Sequence, residues 1–152
     1  MIPLLLLLLT VIYVSASAYK LKALPESLSA TYYLWPSWVF PFFMVVTGIT
    51  LLPYWLEATK DSDWQFLSFI ACIACIFIGC APNYRKDDLT IHMIAAYIAA
   101  FAALLSISLV LNWEVLVAVA LATFIVNFQE IKTKYVFLLE TTILYSLYIS
   151  LI

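Results

Sequence analysis

The chain of 152 residues is 66% hydrophobic and 11% charged, with a formal net charge of −2 and a mean hydropathy of +1.09. A soluble domain carries roughly 25% charged residues, so this composition excludes a water-facing enzyme and a disordered tail, and no basic patch points to nucleic acid. At ~20 apolar residues per crossing, the length accommodates six membrane helices but not seven with their connections.

The first apolar run, residues 2–19, opens on six consecutive leucines. Ala16-Ser17-Ala18 resembles a signal-cleavage site, but Met1-Ile2-Pro3 lacks the cationic leader. A retained first helix is therefore expected. The second run, residues 32–56, contains Pro36, Pro41, Pro53 and Gly48, with Trp35, Trp38 and Trp55 toward its ends. Tryptophan favours headgroup depth, and proline removes a helical hydrogen bond. The part through Pro41 reads either as an interfacial turn or as part of the span.

The third run, residues 64–82, carries all three cysteines (Cys72, Cys75 and Cys80). Buried in lipid, these act as small hydrophobes, because thiolate chemistry needs aqueous access. With one histidine in the chain, a structural zinc site lacks ligands. No metal or cofactor is expected.

The fourth run spans residues 91–111, and a tight Asn112-Trp113-Glu114 connection leads into the fifth, 113–128. The sixth, 135–152, ends the sequence. On the fourth, Ala95, Ala96, Ala99, Ala100, Ala102, Ala103 and Ser106 form a small-residue side. Small residues let membrane helices approach closely, so this helix should be central. There is no fixed-period repeat or long linker. The fold class is all-α: a polytopic membrane protein whose residues 1–152 form one bundle of six transmembrane helices.

Six of the seven cations lie in loops one, three and five (Lys20, Lys22, Arg85, Lys86, Lys132 and Lys134). The positive-inside rule assigns these loops to the cytoplasm of a plasma or inner membrane, with both termini outside. An even number of crossings also brings Pro25-Glu26-Ser27-Leu28-Ser29, the turn from Pro82 to Asp88, His92 and the start of helix six to one face.

Glu140 lies five residues past Tyr135, about 7.5 Å along a helix, inside an apolar run. An acid at that depth costs on the order of 2.5–3.5 kcal/mol to insert, so it should face the bundle interior or a wet cavity. It reads as a proton-accepting or ligand-binding carboxylate, or as a structural acid bonded to Thr141, a tyrosine or Lys134. His92 pairs with Glu140 or Glu26, or simply bonds at the interface; Thr90 and Asp88 offer capping oxygens before it. Asp87 and Asp88 suit the helix macrodipole. Arg85 and Lys86 contact lipid phosphates or clamp an anionic headgroup. In the first loop, Glu26 is a candidate base beside Ser27 or Ser29, although a helix-capping loop with local backbone bonding accounts for the same residues.

Several membrane functions lack their residues. A retinal protein needs a mid-helix lysine, the seven-helix metal hydrolases of lipid amides need several histidines, and a phosphate-cradling loop needs more than Gly48 and Gly79.

Gly79-Cys80-Ala81-Pro82, followed by a polar turn, His92 and the alanine-rich helix, resembles the Frag/DRAM/Sfk group of six-helix membrane proteins and its bacterial relatives. The first-loop segment Pro25-Glu26-Ser27-Leu28-Ser29 is similar to theirs, without the aspartate often found in it. The resemblance covers residues 24–33 and 79–105 and implies a lipid-related role. Three functions stay in play. The leading one is binding of membrane lipid by its headgroup, or of another amphiphile, at a face built by Glu140, His92, Glu26, Arg85 and Ser27. The second is a membrane-embedded hydrolase or transferase using His92 with Glu140 or Glu26. The third is a structural subunit, partnered by another membrane protein or by a second copy of the chain.

Overall fold

The computed structural model describes residues 1–80 and 88–152. Among these are six α-helices and one 3₁₀ turn: α1 (Ile2–Leu21), the turn Ser29–Tyr33, α2 (Val39–Ala58), α3 (Phe66–Cys80), α4 (Asp88–Leu109), α5 (Trp113–Val126) and α6 (Ile131–Ser150). The protein is all-α. Three stretches of 20 residues are long and apolar enough to cross a membrane: α1, α2 and Thr90–Leu109 of α4. At 1.5 Å per residue, each matches the ~30 Å hydrocarbon layer. The apolar helices α3 and α5 are shorter, at 15 and 14 residues, while α6 has 20 residues and carries Lys132, Lys134 and Glu140.

Helix ends depart from the sequence expectation for local reasons. Lys22 adopts a left-handed conformation (φ 56°) and stops α1 after Leu21, two residues beyond the expected end. The second helix starts at Val39 rather than residue 32. Pro36 disfavours helical geometry at Trp35, so residues 29–33 close a separate 3₁₀ turn, and Pro41 falls in the first turn of α2, where a missing N–H does no harm. It ends two residues later than expected, at Ala58. The third helix begins at Phe66, since Ser62 Oγ accepts from Trp64 N (3.1 Å) and holds the preceding turn. Its expected end at Pro82 lies outside the described residues. The fourth helix starts earlier, at Asp88, which places Thr90 in its first turn rather than before it. α5 begins where expected, because Asn112 Oδ1 accepts from Glu114 N (3.1 Å) and Val115 N (3.3 Å). α6 begins four residues early, but non-helical angles at Lys134 interrupt it; regular helix resumes at Tyr135, the expected start.

Two apolar clusters stack along the bundle. One gathers Leu6, Leu51, Trp55, Leu67, Ile107 and Leu147. The other gathers Leu28, Phe40, Met44, Ile78, Ala95 and Phe137. The early residues of α2, α4 and α6 enter the second cluster and their late residues the first; α1 and α3 run the opposite way. Helices α1 to α4 thus alternate in direction, α6 runs parallel to α4, and the first connection, the end of α3 and the starts of α4 and α6 share one end.

Close approach holds the layers together. A Cβ on Gly48 would stand 2.8 Å from the Cys72 carbonyl oxygen, and one on Gly79 would stand 2.9 Å from that of Pro41. Each glycine therefore lets α2 and α3 meet backbone to side. The small side of α4 is buried through Ala95, Ala99, Ala102, Ala103 and Ser106, and α4 packs against α3, α5 and α6. Polar side chains stitch helix to helix: Trp55 Nε1 donates to Ser106 Oγ (2.9 Å) and Thr10 Oγ1 meets Tyr148 Oη (3.3 Å). By contrast, α5 has no buried residue.

Candidate functional site

The first connection is pinned to α1 before it reaches the site. Trp35 Nε1 donates to Ser17 Oγ (2.9 Å), which donates to the Tyr13 carbonyl (2.8 Å). The Lys20 ammonium donates to the Leu34 carbonyl. Thr31 Oγ1 donates to the Leu28 carbonyl and bonds Tyr13 Oη. Ser27 Oγ accepts from Ala30 N (3.1 Å) and bonds Ser29 Oγ (2.9 Å). This hydroxyl network fixes the short 3₁₀ turn as a cap on the bundle, with Pro25, Leu28 and Thr31 buried beneath it.

The cap meets α6 through one bond. Leu28 N donates to Glu140 Oε2 at 2.6 Å, a short charge-assisted type of contact. It supplies the carboxylate with a partner in an apolar setting. Glu140 Oε1 takes no hydrogen bond from the described residues.

Below this contact a cavity of about 80 Å³ runs between α2, α3, α4 and α6. Its wall is almost wholly apolar; Ser29, His92 and Glu140 are among the residues that border it, as are Cys72 and Cys75. Among the described residues, no hydrogen bond joins His92 to Glu140.

The candidate residues therefore separate. Glu140 and His92 border one cavity, although α6 and α4 bring them from distant parts of the chain. Ser27 stands beside it, occupied by Ser29 and the Ala30 amide. Glu26 is exposed on the cap and does not line the cavity. Arg85, Lys86 and Asp87 lie outside the described residues. Among the described residues neither Thr141, a tyrosine nor Lys134 bonds Glu140; Thr141 Oγ1 turns back to the carbonyls of Phe137 (2.9 Å) and Leu138 (3.2 Å).

One contributor escaped the sequence and another was not separated from its neighbour. The Leu28 amide is a backbone group 112 residues from its partner, and side-chain pattern carries no trace of it. Ser29 was visible as one of several loop hydroxyls, but only the 3₁₀ turn singles it out from Ser27 as a cavity residue.

The three cysteines are free, with Cys72 buried, and among the described residues no group of three His, Cys, Asp or Glu side chains could hold a metal ion. The chemistry on offer is one carboxyl group, one imidazole and one hydroxyl around a small space walled by hydrocarbon. No protein-family model matches the chain, and no curated protein or solved structure matches it.

Proposed function

We propose that the chain is a six-span membrane bundle that binds an amphiphile by its polar head at Glu140. The observation that carries this reading is the cavity at Glu140, where Leu28 N engages one carboxylate oxygen and the other takes no bond from the described residues. A cavity that accepts benzene measures about 150 Å³, so about 80 Å³ suits a head of a few heavy atoms. The hydrocarbon tail then stays among the helices. Since the described polar lining is an acid, an imidazole and a hydroxyl, a hydroxyl or amine head is the chemistry it complements. A phosphate head would draw instead on Arg85 or Lys86.

The resemblance to the lipid-associated six-helix group, carried by Gly79, His92 and the Pro25–Ser29 segment, points the same way. The hydrolase or transferase reading needs His92 within hydrogen-bond reach of a carboxylate, and the described residues supply no such bond. The loop cations favour loops one, three and five on the cytoplasmic side.

Native mass spectrometry on the mildly extracted full chain tests the binding. The wild type should retain one amphiphile per chain, and Glu140→Gln should retain at least tenfold less while keeping its helical circular dichroism. Equal retention by the variant, or no retained amphiphile on the wild type, overturns the proposal.

A further inference from the structure

The Glu140 cavity is closed unequally at its two ends. Its inner end is sealed by core: Leu51, Trp55 and Leu147 border it there and are each 2% exposed or less. Its outer end is bordered by Leu28 and Ser29 of the first connection. Ser29 is half-buried. Leu28 is buried, in one cluster with Phe40, Ile78, Ala95 and Phe137. Its side chain thus fills the end of the cavity that meets the cap, in the manner of a stopper.

The ties of the cap are equally uneven. Toward α1 it makes three side-chain hydrogen bonds, through Thr31 to Tyr13, Trp35 to Ser17 and the Leu34 carbonyl to Lys20. Toward α6 it makes one, from Leu28 N to Glu140 Oε2, and among the described residues it makes none to α3 or α4. The single Thr31 hydroxyl proton goes to the Leu28 carbonyl, so Tyr13 Oη is the donor between the two hydroxyls. The Tyr13 ring is stacked on Phe43 of α2, with centroids 4.8 Å apart. The α1 side of the cap is therefore anchored to two helices. Over the cavity, lifting the cap breaks one hydrogen bond and withdraws one side chain.

We infer that the first connection is a lid on the Glu140 cavity, hinged along α1, latched by Leu28 N on Glu140 and stoppered by the Leu28 side chain. The inference rests on the amphiphile reading for what the lid admits, but not for how it closes. Glu140 serves both parts, because Oε2 holds the latch and Oε1 is left for the polar head. A loaded site keeps its lid shut, and release requires the latch bond to break.

Cys72 and Cys75 border the cavity and report its opening without any amphiphile. The full chain carrying Cys80→Ser, in phosphatidylcholine nanodiscs, is exposed to silver ion. This soft cation binds thiols, travels in water and is small enough for about 80 Å³. Thiols that remain are counted in denaturant at successive times. Silver should enter this parent slowly, and about tenfold faster with Leu28→Ala, which removes the stopper. Entry should also quicken with Glu140→Leu, which removes the latch at similar size. Leu67→Ala shortens a comparably buried leucine that does not border the cavity and should keep the parent's rate. Amphiphile retention by the parent is measured separately: its failure with the silver rates as expected removes the ligand and keeps the lid. Fast entry in the parent, a rate unmoved by Leu28→Ala or by Glu140→Leu, or an equal acceleration by Leu67→Ala overturns the lid.

Discussion

Gly79 sits at one of the two close approaches of α2 and α3, and the atoms around it have little freedom. A Cβ there would meet the Pro41 carbonyl oxygen at 2.9 Å and Met44 Cβ at 3.0 Å. One is backbone and the other is fixed to it, so neither can swing aside. Gly79→Ala should therefore lower the stability of the bundle by about 1–3 kcal/mol, the usual penalty of overpacking, read as an earlier midpoint in denaturing detergent. An unchanged midpoint would mean that α2 and α3 tolerate a wider spacing. Glu140 shows the same dependence on a distant neighbour. Its position in an apolar run marked it in the sequence as an acid that must be compensated, yet compensation comes from the Leu28 amide. A backbone donor is common to every residue but proline, so nothing in the sequence distinguishes that one from any other.

Among the elements, α4 carries the clearest packing signal. Its alanines and Ser106 fall on one side at helical spacing, and Ala99 and Ala103 are buried while Ile98 and Phe101 are exposed. Leucine at Ala99 must push into the second cluster, whereas leucine at Ile98 replaces one exposed aliphatic side chain with another. Ala99→Leu should reduce stability by about 1–3 kcal/mol, and Ile98→Leu should leave it unchanged; comparison of the two midpoints in denaturing detergent checks this. The helix was legible because small residues are conspicuous in an apolar run and close packing is their main use in lipid. α2 was less so. Hydropathy runs on without a break from Tyr32 into Phe43, and only the backbone restriction imposed by Pro36 and Pro41 divides the stretch into a 3₁₀ turn and a helix.

For the whole molecule, alternation matters more than any single span. The two stacked clusters put the first connection, the end of α3 and the starts of α4 and α6 at one end. The even count read from apolar runs anticipated that convergence. In the proposed six-span topology both termini emerge on the same side. Reporters fused separately to the two termini of the intact chain should therefore report one compartment, and opposite compartments would reduce the crossings to an odd number. What the sequence could not supply was the meeting of Ser29, His92 and Glu140 around one small cavity. Parity assigns residues to an end of a bundle, but their approach depends on how the connection is tied down by Tyr13, Ser17 and Lys20, and those ties become visible only in three dimensions.

α5 adds a last consequence. No side chain between Trp113 and Val126 is buried, and among the described residues the Thr123–Thr142 contact (3.2 Å) is its one side-chain hydrogen bond to another helix. Leu116 packs against the first cluster, but the exposed positions have no core partner to match and accept oily side chains of many shapes. Exchanges among oily residues at those exposed positions should therefore leave the fold intact, while Thr123 ties the helix to α6.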